Sequence, residues 1–212
     1  MTYPTNIDIV NLNEFGVDKF KNILLQLSTE CADKNRDWFD PDNNWSLIHQ
    51  FAKYDWCFAL HDDQLVAFSA IQKYNFGVRV LTRTFYMPVF RKSSLKVNMK
   101  YTMDEITPAM KMLQYQLNSL KNSDVSLAFI SMEYPERRTA LETFRDKLNH
   151  HYDNNWTIPE NMYLTCPDPE SFSCWQNICY TELKPNSFFN DWGNITVDEW
   201  RNRYGNARKT LD

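Results

Sequence analysis

WCFALHDDQLVAFSAIQKYNFGVRVLTRTFYMP, residues 56–88, decides the fold. It contains three runs rich in β-branched and aromatic residues, 56–61, 65–74 and 78–87. Between them stand only Asp62-Asp63-Gln64 and Asn75-Phe76-Gly77. Connections this short join neighbouring antiparallel strands, so the stretch predicts a meander. Pro88 ends the third strand, because it has no N–H to give to a ladder. On that strand Arg79 and Arg83 are an even number of residues apart and should share a face.

Upstream, IDIVNLN (7–13) alternates and reads as a first strand. FGVDKFKNILLQLSTECADK (15–34) sets Val17, Phe20, Leu24, Leu27 and Cys31 at helical spacing. A turn cluster at Asp40–Asn44 precedes a second helix, WSLIHQFAKY (45–54). Downstream, Thr107 and Pro108 are a helix N-cap and first helical residue, followed by a stripe of Met110, Leu113, Leu117 and Leu120. SLAFISME (126–133) is a short strand of the buried parallel type. ERRTALETFRDKLNHH (136–151) is a helix with Leu141, Phe144 and Leu148 inward. NMYLTC (161–166) and CWQNICYTEL (174–183) are two further strands, joined by the Pro-rich PDPESFS. The expected fold class is α+β in three layers: a mixed, mostly antiparallel sheet of about seven strands with helices on both faces. Residues 1–188 form the domain. Residues 189–212 form a tail with Trp192, Trp200 and a capping box from Thr196 to Glu199 that opens a short helix ending at Gly205.

The chain has 212 residues and a net charge of −4, so an extended nucleic-acid footprint is not expected and any anion site must be local. Apolar runs are far shorter than the roughly 20 residues of a membrane span. MTYPTNIDIV has no basic region leading into an apolar one, so no signal peptide is read. With five scattered cysteines this predicts free thiols and a cytoplasmic location. Abundant asparagine fits an AT-rich genome, such as that of a phage or a marine microbe.

Arg79, Arg83, Arg91, Lys92, Lys96 and Lys100 form a basic run with no acid before Asp104. Two readings fit it. Arginine forks and lysine point charges can hold a phosphate-bearing ligand. Alternatively, the arginines face solvent and the lysines decorate a loop. Interleaved Phe85, Tyr86 and Phe90 raise nucleic acid as a third reading, against which the acidic balance counts. Cys166, Cys174 and Cys179 with His150 and His151 lack metal-ligand spacing, so no metal site is expected. Cys57 and His61 share a strand face but sit about 13 Å apart, too far for a nucleophile and its base.

The order β, α, α, β-β-β, α, β, α, β, β resembles the GCN5-related N-acetyltransferase (GNAT) family. The likeness in residues lies in RVLTRTFYMPVFR (79–91), where Met87-Pro88-Val89-Phe90-Arg91 approximates the hydrophobic–x–Pro–x–x–Arg end of that family's fourth strand. The resemblance implies transfer of an acyl group from acetyl-coenzyme A, or another acyl-coenzyme A, to a small-molecule or peptide amine. It implies cofactor contacts from Phe85, Tyr86, Met87, Arg91, Lys92, Ser93 and Ser94. It also implies Glu133 as base and Tyr134 as the acid that protonates the departing thiolate, with Tyr180 a further acid candidate. Glu133 could instead pair with Arg137 or Arg138. Two departures stand out: RKSSLKVN (91–98) has no glycine where the family's phosphate-binding turn needs it, and Asn149-His150-His151 replaces a usual Gly-Phe. A rival reading is therefore a non-catalytic binding or structural module, of phage origin, and either protein could be a homodimer.

Overall fold

The computed structural model describes residues 6–30, 36–42, 46–74, 77–90, 103–132, 138–158 and 177–185. Six strands form one sheet in chain order: β1 (Asp8–Asn11), β2 (Asp55–His61), β3 (Gln64–Tyr74), β4 (Gly77–Tyr86), β5 (Leu127–Met132) and β6 (Asn177–Glu182). β1 to β4 pair antiparallel, β4 and β5 pair parallel, and β5 and β6 pair antiparallel. The sheet is mixed and mostly antiparallel, as the meander and the apolar 126–133 run predict. Six strands lie among the described residues. The proposed strand at 161–166 and the 189–212 tail lie outside them.

The β2–β3 connection is a two-residue turn, with Asp62 at φ 48° and Asp63 at φ 62°. Hairpins favour such left-handed pairs because their twist matches that of the strands, and aspartate tolerates the region better than most residues. Gly77 opens β4 instead of ending the turn. A Cβ there would stand 2.8 Å from the Leu127 carbonyl oxygen and 3.0 Å from the Leu127 Cβ, so only glycine lets β5 approach this closely.

Alternation along β2 separates two cores. Trp56 and Phe58 pack on one face with Phe20, Leu24, Leu27, Phe39 and Leu47. These come from α2 (Val17–Glu30), α3 (Arg36–Phe39) and α4 (Leu47–Gln50). Cys57 and Ala59 pack on the other face with Met112. That residue belongs to α5 (Pro108–Leu120), whose Met110, Leu113 and Leu117 also join Leu141 and Leu148 of α6 (Arg138–His151) over Val78, Val80, Ala128 and Ile130. Helices thus cover both faces of the sheet.

Two expectations shift. Residues 12–13 are helical, not strand: Asn11 ends β1 and caps α1 (Leu12–Phe15). Its side-chain oxygen accepts from the Glu14 N–H at 3.0 Å, and the Glu14 carboxylate accepts from the Asn11 N–H at 2.8 Å. Gly16, at φ 99°, then separates α1 from α2. The helix expected at 45–54 is α4 followed by a 3-10 turn, Phe51–Lys53. The Phe51 carbonyl accepts from the Trp56 indole at 2.6 Å and from the Tyr54 N–H at 3.4 Å, which turns the chain into β2 instead of extending the helix.

Candidate active site

β4 and β5 are ten and six residues long, yet they share only two register positions, Val78 with Ala128 and Arg79 with Phe129. The parallel pair closes at Gly77 and then opens. The cause lies in β4. From Phe68 to Ala70, and again from Ala70 to Gln72, two residues of β3 span three on β4, where partners run from Phe85 to Thr82 to Arg79. These are two one-residue bulges, and bulges bend a strand and tighten its twist. Leu81 and Arg83 carry the strain, at φ 52° and 53°. Two extra residues restore parity. Arg79 therefore stays in step with Gln72, on the face of Phe68 and Ala70, and Arg83 reaches the same face. The expectation that the two arginines share a face holds for a reason the spacing did not contain.

Buried polar groups hold the bulges. The Leu81 N–H donates to Gln116 Oε1 at 2.9 Å, and Gln116 Nε2 donates to Cys57 Sγ at 3.2 Å. Gln116 is 1% exposed, so α5 spends a core position on fixing this backbone. Thr84 Oγ1 donates to the Leu81 carbonyl at 2.7 Å and meets Ser69 Oγ at 3.0 Å. Gln116 is a residue the sequence reading missed. Its signal was available: three residues after Leu113 and four before Leu120, it is a polar side chain on the apolar stripe. Burial pushes the Cys57 thiol up to about 12, with the Gln116 hydrogen bond opposing more weakly. Cys57 is therefore a neutral core thiol, not a nucleophile.

The open end of β4 meets the start of α5. The Ala109 N–H donates to the Tyr86 hydroxyl at 3.2 Å, so a helix that begins some 20 residues later in sequence lies beside this strand end in space. The first turn of that helix has its donors engaged. Pro108 has no N–H, Ala109 reaches Tyr86, Met110 reaches Thr107 Oγ1 at 3.3 Å, and Lys111 reaches the Thr107 carbonyl at 3.1 Å. The chain leaves β4 through a helical turn at 88–90, closed by the Phe90 N–H on the Met87 carbonyl.

The proposed site residues separate. Phe85 is buried; it stacks on Phe68 at 5.5 Å and meets the edge of Phe39 at 4.9 Å, so its side chain serves the core. Tyr86 and Met87 are half-buried at the open end. Arg91, Lys92, Ser93, Ser94, Glu133 and Tyr134 lie outside the described residues, as do Lys96 and Lys100. Tyr180 is on β6, one strand beyond the gap; burial first, then Glu182, pushes its phenol up. On the β4 wall, the Arg83 guanidinium carbon lies 5.2 Å from the Trp38 ring centre and 6.0 Å from that of Tyr54. No helix among the described residues is long and apolar enough to cross a membrane.

No protein-family model matches the chain, and neither does any curated protein. Solved structures are similar at low identity. A GNAT-family acetyltransferase from Staphylococcus aureus Mu50 aligns over 84% of this chain and 100% of its own, at 14% identity and TM-score 0.48. A dodecameric spermidine N-acetyltransferase from Vibrio cholerae aligns over 88% and 98%, at 6% identity and TM-score 0.48. The ribosomal-protein-S18-alanine N-acetyltransferase of Escherichia coli aligns over 85% and 96%, at 12% identity and TM-score 0.46.

Proposed function

We propose that this protein is a GNAT-like acyltransferase that moves an acyl group from coenzyme A to a small-molecule or peptide amine. The observation that supports this reading most is the parallel β4–β5 pair, which opens after two register positions. An extended, amide-bearing arm such as that of coenzyme A can enter such a gap as a surrogate strand, bonding to backbone on the bulged β4 wall. The residues of the bulged β4 strand fit that arm. The pyrophosphate is not offered the α5 first-turn amides, which Tyr86 and Thr107 already engage. Side chains would take their place: Arg91 and Lys92 for charge, Ser93 and Ser94 for hydrogen bonds, with Tyr86 and Met87 flanking the entry. When bound, the thioester supplies an activated acyl carbon. Glu133 would remove a proton from the attacking amine, and Tyr134 would return one to the sulfur as the C–S bond breaks and the C–N bond forms.

The engaged α5 amides favour a second reading, a non-catalytic module on the same scaffold. Thermal denaturation separates the two. Acetyl-coenzyme A at 100 times its Kd should add about 2.7 kcal/mol by mass action, a shift of several degrees. Arg91→Ala should shrink the shift. No shift with acetyl-coenzyme A or longer acyl-coenzyme A esters would leave the binding-module reading. Sedimentation of the same sample tests the homodimer.

A further inference from the structure

We propose that Arg83 recognises a carboxylate on the acceptor, so that the substrate class is an amine that also carries a carboxylate, as an amino acid does. This rests on the acyl-transfer reading above and names the acceptor of that same site. Arg83 lies in the half of β4 past its last register position with β5, on the wall of the gap. Its guanidinium sits over Trp38 of α3 at 5.2 Å and over Tyr54, just before β2, at 6.0 Å. Rings that cover the face of a guanidinium leave its N–H edge for an acceptor in the plane.

The chain carries 27 acidic residues against 23 basic ones, and arginines in such a protein ordinarily find a carboxylate. Among the acidic residues whose side chains are described, none lies within ion-pair distance of Arg83. Arg79 stands on the same face with no carboxylate partner among those residues and adds positive potential. Arg83 is also held at φ 53°, a conformation a non-glycine residue keeps only where its surroundings impose it. Its neighbours are tied down: Thr84 Oγ1 donates to the Leu81 carbonyl and meets Ser69 Oγ, and the Leu81 N–H donates to Gln116. A planar guanidinium flanked by two rings, with no carboxylate partner among the described side chains, suits one planar carboxylate.

The test uses the full chain. Coenzyme A release is followed at saturating acetyl-coenzyme A with the twenty amino acids, their carboxamides and O-phosphoethanolamine. Melting temperature is measured with each compound alone, which reads binding without turnover. At least one amino acid should bind and react about tenfold or more better than its amide, the scale of a charge-assisted bond. Arg83→Gln should bring that ratio to within about twofold, and Arg83→Lys, which keeps charge but loses the fork, should give an intermediate value. The lysine variant keeps the test intact if the glutamine variant folds poorly. Amides equal to acids, a ratio unmoved by both variants, a preference for O-phosphoethanolamine, or no amino acid binding would each overturn the proposal. An amino acid that raises the melting temperature through Arg83 while no acyl-coenzyme A does would sink the transferase reading and leave the carboxylate site standing.

Discussion

The sheet has a closed half and an open half. In the closed half, β1 to β3 lie under α2, and the packing is aromatic. Phe20 meets Trp56 and Phe58 at 4.9 Å and Phe68 at 5.3 Å, all edge-on, while Phe15 stacks on Phe58 at 4.2 Å. In the open half, β4 carries two bulges, two positive-φ residues and a buried glutamine, and it parts from β5. Apolar packing rewards regular strands, and the closed half carries a single register shift, between Ala59 and Leu60 of β2. The open half departs from regularity at the positions that keep the gap apart, and such strain persists where the rest of the structure supplies the stability to hold it.

That contrast can be broken most forcefully in the closed half. Phe20→Ala should cost about 3–5 kcal/mol in urea denaturation, because Phe20 is 0% exposed and a cavity would remain. A loss under about 1 kcal/mol would mean the aromatic cluster does not carry the fold. Gly77→Ala should cost about 1–3 kcal/mol, since the Leu127 backbone must move. Its effect should include faster exchange of β5 amides, the closed end of the gap having loosened. Gln116→Leu keeps volume but leaves the Leu81 N–H without its acceptor, for a loss of about 1–3 kcal/mol. Unlike Phe20→Ala, it should also reduce the acetyl-coenzyme A melting shift by more than its own destabilisation explains. Thr107→Ala should cost about 1 kcal/mol through the lost cap.

A further test lies in pH. Burial raises the Cys57 and Cys179 thiols from 9.0 to about 12, so the unfolded chain ionises first. Their contribution is whole below pH 9 and is lost as pH rises from 9 towards 12. Stability measured across that window should fall, and a Cys57→Ala, Cys179→Ala double variant should fall less steeply. At pH 8 native Cys57 and Cys179 should resist a thiol reagent that labels them in denaturant.

The meander was legible because strand composition, two short connectors and Pro88 all agreed. The α5 start was legible because Thr107 and Pro108 answer separate local needs. The bulges were not. Each inserts one residue, and together they restore the parity that alternation measures, so 78–87 reads as a plain strand. Gly77 looked like a turn residue because the demand on it comes from Leu127, fifty residues away. The meeting of Tyr86 with Ala109 is equally non-local. For the candidate site, the β4 end at Tyr86 and Met87 was legible from Pro88, while Gln116 and the Arg83–Trp38–Tyr54 stack depend on contacts no spacing encodes.

Hydrogen exchange on β4, with and without acetyl-coenzyme A, tests the gap most directly. At least one amide among residues 80 and 82–84, Leu81 being already bonded to Gln116, should exchange at least about tenfold more slowly when it is present, as new backbone hydrogen bonds form along the bulged wall, while β1 and β2 stay unchanged. Equal rates along β4 in both samples, at a concentration that saturates any measured binding, would contradict a ligand bound between β4 and β5.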